Sequence, residues 1–109
     1  MSSSENWEEL LLRVSKKFKV LADFDFVLFL IGIQERGLGY KKYSKEEKMD
    51  LINLARCKMF EKAGFYTEAG KDEEGWPRFE VVKTLEDMLP SEREKVLKQE
   101  MINYLDENI

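Results

Sequence analysis

Few side chains in this sequence can run acid–base, nucleophilic or metal chemistry. There is no histidine, one cysteine (Cys57), four tyrosines and 22 acidic residues. Without histidine neither a Ser-His-Asp nor a Cys-His nucleophile can be assembled, and the common zinc and iron ligand sets are missing. Arg56 and Lys58 flank Cys57 in sequence, but residues one apart on a helix point away from each other. A depressed thiol pKa does not follow, and Cys57 reads as a small residue at the edge of the core. Asp72, Glu73 and Glu74 supply oxygens but lack the alternating spacing and terminal glutamate of a calcium loop. Gly37-Leu-Gly39 follows an expected helix rather than a strand, so it is not a dinucleotide fingerprint. Paired carboxylates remain able to do acid–base work, yet none sits in an evident apolar pocket. No catalytic residue, metal ligand or cofactor is expected.

Binding surfaces are better represented. Tyr40 and Tyr43 fall in a connecting loop with Lys41 and Lys42 between them, and Trp76-Pro77 directly follows a polar turn. Aromatic residues so placed are the type enriched at protein interfaces, so Tyr40, Tyr43, Trp76 and Pro77 form the candidate interaction surface. An alternative uses the most basic part of the chain. Three helices followed by a hairpin have the order of a winged helix, in which Lys45, Lys48, Arg56 and Lys62 would face a nucleic acid. Asp72, Glu73 and Glu74 at the would-be wing repel phosphates, which makes a nucleic-acid partner the weaker reading.

The bulk composition agrees with a binding role. The 109 residues suit one domain on a prior of roughly 100–200 residues per domain. Hydrophobic residues make up 43% and charged residues 37%, a globular balance with a heavily charged surface. Residues 1–62 carry 12 basic and 10 acidic side chains, whereas residues 63–109 carry 6 and 12. The acidic second half suits a positively charged protein partner. A lone thiol fits a reducing compartment. Residues 1–5 lack the basic start and apolar run of a leader, and the longest apolar stretch, Phe26 to Ile33, is far short of the roughly 20 residues of a membrane span. A cytoplasmic protein without a membrane segment is expected.

Periodicity and capping signals place these residues on elements. Residues 1–5 read as disordered and 6–109 as a single helical domain. Asn6 and Glu9 have capping-box spacing for a first helix whose stripe is Trp7, Leu10, Leu11, Val14 and Phe18. Asp23 caps a second helix to about Arg36 that is apolar around nearly its whole circumference, which marks it as the bundle centre or a dimer interface. Ser44 and Glu47 open a third helix to Ala63, with Gly64 at its C-terminal cap and an inner face of Met49, Leu51, Ile52, Leu54, Ala55, Met59 and Phe60. Residues 65–69 and 76–82 are short, aromatic and β-branched around a six-residue polar turn, so a β-hairpin spans about 65–82. Pro77 must lie at an edge or before regular pairing begins. Thr84 and Asp87 show cap spacing for a short helix or turn through Leu89. The last helix starts at Pro90 or Ser91, where Ser91 and Glu94 have capping-box spacing, and its stripe is Leu97, Met101, Tyr104 and Leu105. The fold class is therefore mainly α: a bundle of four main helices with one hairpin between the third and the last.

Four segments, Ile33-Gln-Glu-Arg-Gly37, Tyr43-Ser-Lys-Glu-Glu-Lys-Met-Asp50, Gly70-Lys-Asp-Glu-Glu-Gly-Trp-Pro77 and Ile102-Asn-Tyr104, carry a resemblance. With them the chain resembles a family of small Bacteroidetes proteins that has no assigned function. The resemblance implies a self-contained bacterial domain and transfers no functional residue. Together these readings lead to an expectation of a non-enzymatic interaction or structural module, with an unknown protein partner or a second copy as a homodimer. A winged-helix nucleic-acid binder is the alternative, and a small-ligand protein or enzyme using carboxylate and tyrosine groups is the third.

Overall fold

A computed structural model describes residues 6–108; the expected disorder of residues 1–5 lies outside the described residues. Four helices and one two-stranded hairpin follow in the order α1 (Trp7–Phe18), α2 (Phe24–Glu35), α3 (Lys45–Lys62), β1 (Tyr66–Lys71), β2 (Pro77–Val81) and α4 (Pro90–Asn108). The fold is mainly α, with the hairpin between the third and fourth helices. Among the described residues, no helix is long and apolar enough to cross a membrane.

Local chemistry sets most of these boundaries. Asn6 and Glu9 exchange side-chain and backbone bonds at 2.8 and 3.0 Å, and Ser44 and Glu47 do the same at 3.1 and 2.8 Å. Each pair satisfies amides that the first helical turn leaves without partners. Asp23 Oδ1 accepts the Phe26 amide at 2.8 Å and starts α2. Gly37 and Gly64, both at positive φ, close α2 and α3. In each case the following amide, Leu38 or Phe65, reaches back to the carbonyl of Ile33 or Phe60 at 2.9 Å.

The apolar circumference of α2 places it at the centre rather than on the outside. Val27 through Ile33 are all buried, enclosed by Leu10 and Val14 of α1, by Leu51, Ala55 and Met59 of α3, and by Met101 and Leu105 of α4. Gly32 is the point of closest approach. A Cβ there would collide with the Leu51 carbonyl oxygen, so only glycine lets the α3 backbone come this near. Met49, expected on the inner face of α3, is instead 49% exposed because it precedes the stretch pressed onto α2.

The hairpin is offset slightly from its expected span. Phe65 is buried and uses its carbonyl for the amides of Val82 and Lys83, so regular pairing starts at Tyr66. Tyr66 faces Val81, Glu68 faces Phe79 and Lys71 faces Pro77. One extra residue between Glu68 and Lys71 makes a bulge, with Gly70 at φ 92°. Pro77 opens β2, where its missing donor costs least.

Residues 82–89 form turns and bends, the second of the two expected alternatives, and not a short helix. Thr84 Oγ1 accepts from Glu86 two residues on, and a single Leu85–Met88 bond follows. Leu89 precedes a proline, which disfavours helical geometry. α4 starts at Pro90 as expected, but its cap is not the expected one. Pro90 takes the first helical position, and Glu92 rather than Glu94 reaches back, accepting the Leu89 amide at 3.0 Å. Ser91 is therefore inside the helix and does not cap it.

Replacing Gly32 with alanine is expected to lower stability by about 2 kcal/mol, because overpacking outweighs the better helix propensity. Urea unfolding followed by circular dichroism checks this; an unchanged or higher midpoint would contradict the close approach.

Candidate functional site

The hairpin's polar turn is organised from within. Asp72 Oδ1 accepts the amides of Glu74 and Trp76, each at 2.9 Å, and the Asp72 amide donates to the Trp76 carbonyl at 2.9 Å. Gly75 completes the turn at φ 88°. Arg36, just past α2, then fastens it to the helical body. Its Nη1 donates to the Gly75 carbonyl at 2.8 Å, and the guanidinium lies 4.5 Å from the centre of the Trp76 ring. A stacked arginine with a carbonyl acceptor fixes both the loop and the ring.

This fastening leaves a groove of about 380 Å³ between α3 and the hairpin. Leu54, Trp76, Pro77 and Phe79 give it apolar surface, and Asp50, Asp72 and Glu74 give it three carboxylates, with no lysine or arginine in the lining. Asp72 is committed to the turn. The carboxylates of Asp50 and Glu74 have no ion-pair or hydrogen-bond partner among the described residues. Cys57 also lines the groove, half-buried, and burial pushes its thiol pKa up despite the charge of Arg56. A protonated, partly enclosed thiol is a weak nucleophile.

Trp76 and Pro77 thus share one groove, whereas Tyr40 and Tyr43 lie elsewhere. Tyr40 is 51% exposed and covers Phe18, Phe26 and Phe29, with ring centroids 5.1 to 6.3 Å apart. Tyr43, expected beside it on the surface, is only 8% exposed. Its hydroxyl donates to the Gly39 carbonyl at 2.6 Å and its ring meets Phe29 edge-on, so it belongs to the core.

The four candidate basic residues of α3 have different immediate surroundings. Lys45 is exposed at the start of α3. Lys48 borders a groove that also holds Lys41, Lys42, Asp23 and Asp25. Arg56 bonds Asn53 of its own helix at 3.0 Å and lines a cleft toward α4. Lys62 lies over the Tyr104 ring at 5.7 Å.

A polar hub went unread in the sequence. Lys58 Nζ lies 2.8 Å from Glu61, 3.4 Å from Glu68 and 3.8 Å from Glu35. The Tyr104 hydroxyl donates to the other Glu35 oxygen at 2.7 Å. Burial and then the Glu35 carboxylate push the Tyr104 pKa well above its ordinary value of 10.0. Burial pulls Lys58 down, but Glu61, Glu35 and Glu68 outweigh it and leave the amine above 10.5. A phenol and an amine that hold their protons this firmly serve as staples between helices, not as a base or nucleophile. Among the described residues, no group of three or more His, Cys, Asp or Glu side chains is placed to hold a metal ion. Comparison with known proteins finds no matching family model, curated protein or solved structure.

Both raised pKa values mean that the fold binds these protons more tightly than the unfolded chain does. Their contribution is complete below pH ~10 and is lost as pH rises further. Tyr104→Phe is expected to cost about 1 kcal/mol at pH 8 and to flatten the loss of stability above pH ~10. Urea titrations from neutral to alkaline pH check this, and an alkaline limb identical to wild type would contradict it.

Proposed function

We propose that the chain is a non-enzymatic interaction module that receives a basic segment of a partner protein in the groove between α3 and the hairpin. The observation that carries this reading is the lining of that groove. Trp76, Pro77 and Phe79 offer rigid apolar contact area, and Asp50 and Glu74 stand beside them without partners among the described residues. Free carboxylates around aromatic surface match a segment in which lysine or arginine alternates with apolar side chains. The ring that would make the central contact is also held in place before binding, by Arg36, which lowers the entropic cost of association.

Binding is favoured over turnover because the two candidate nucleophiles lean the wrong way for catalysis. The Cys57 thiol and the Tyr104 phenol both hold their protons more firmly than usual. The nucleic-acid reading is less well supported, since Lys48, Arg56 and Lys62 open onto separate surroundings. A cytoplasmic setting accords with the single free thiol.

Affinity capture from native cell extract tests the reading by comparing wild type with an Asp50→Lys, Glu74→Lys double variant. The expected result is a protein that wild type retains, that the charge-reversed variant loses, and that elutes when salt rises to about 0.5 M. Equal retention by both would overturn it. Light scattering on the isolated chain shows whether a second copy is the occupant instead.

A further inference from the structure

A second concavity, sharing no lining residue with the first, lies where α3, α4, β1 and the 82–89 segment meet. Its volume is about 620 Å³, inside the roughly 300–1,000 Å³ range of small-molecule sites. Phe24, Phe60, Tyr66, Leu85 and Leu97 supply its apolar walls, and two guanidinium groups, Arg56 and Arg93, enter it from neighbouring helices.

Neither arginine is neutralised. Arg93 donates through Nη2 to the Leu85 carbonyl at 2.8 Å, while its Nε is enclosed and has no acceptor. Arg56 has only the neutral Asn53 amide oxygen. No carboxylate lies within ion-pair distance of either among the described residues. Glu94 stands in the same lining but leans to Lys98 at 3.9 Å. The enclosed Nε of Arg93, without acceptor or counter-charge, is costly, and an anion that fills the cleft relieves that cost. Ser91 adds to the same chemistry. Displaced from the capping position by Pro90, it lies in the first turn of α4 and lines the cleft, where the helix dipole favours negative charge.

We infer that this cleft binds a small amphipathic carboxylate, its acid group between Arg56 and Arg93 and its hydrocarbon part against Phe60 and Leu97. The inference is independent of the groove that Trp76 and Pro77 line, and neither reading requires the other.

Isothermal titration calorimetry with decanoate, its alcohol decanol and acetate tests it on wild type, Arg93→Gln and Arg56→Gln. Decanoate is expected to bind wild type with Kd on the order of 100 μM. Decanol and either variant should bind about tenfold more weakly, and acetate should give no measurable heat, because both charge and apolar area are needed. Arg93→Gln also risks the Leu85 anchor, so a melting curve accompanies it. Arg56→Gln touches only an exposed bond within α3 and stands if the first variant unfolds. Equal binding of decanoate and decanol, no binding of decanoate below about 1 mM, or full affinity in Arg56→Gln would each overturn the assignment.

Discussion

The approach of α3 to α2 at Gly32 is the constraint on which the remaining structure rests. A helix that is apolar on every side must be enclosed, and α2 has seven consecutive buried residues, Val27 to Ile33. Enclosure on this scale leaves no room for an ordinary spacing where Leu51 crosses. The missing Cβ at Gly32 lets the two backbones come together, and the gain is close packing along Leu51, Ala55 and Met59. With α3 fixed in this way, its far side has a defined position. Both proposed sites use it: Asp50, Leu54 and Cys57 line the groove toward the hairpin, while Arg56 and Phe60 line the cleft toward α4.

Polar contacts then lock the smaller parts onto this helical body. A two-stranded hairpin is marginal by itself. Here it is held at its turn by Arg36 and at its first strand by Glu61, whose Oε2 accepts the Glu68 amide at 3.2 Å. Lys58 brings Glu35, Glu61 and Glu68 together from α2, α3 and β1, and Tyr104 adds α4 through Glu35. Each contact is modest alone. Their value lies in positioning, because the groove exists only while the hairpin stays against α3.

Much of the fold was legible in local sequence, since caps and turns are decided by neighbours. Asn6 with Glu9, Asp23, Ser44 with Glu47, and Gly37 and Gly64 marked helix ends that the structure reproduces within a residue or two. The start of α4 at Pro90 was legible as well, but its cap was not. Glu92 and Glu94 both follow a residue three places earlier, and Pro90 decides between them by occupying the first helical position. Trp76 and Pro77 could be singled out from type and place. Their setting could not, because the Arg36–Gly75 bond spans 39 residues and no local pattern encodes it. The unread Lys58 hub has the same origin, with members drawn from α2, α3, β1 and α4. Tyr43 looked like a surface residue because its loop is polar, but the Phe29 ring beneath it was not visible in a linear reading.

The account turns on the claim that Arg36 holds the hairpin turn, and thereby the groove, in place. Native-state hydrogen exchange on Arg36→Ala tests it most directly. The amides of Gly75 and Trp76, bonded to Asp72 in the intact turn, should exchange at least about tenfold faster, while those of Val27 to Ile33 keep their wild-type rates. Unchanged exchange in the turn, or an equal acceleration through α2, would contradict it.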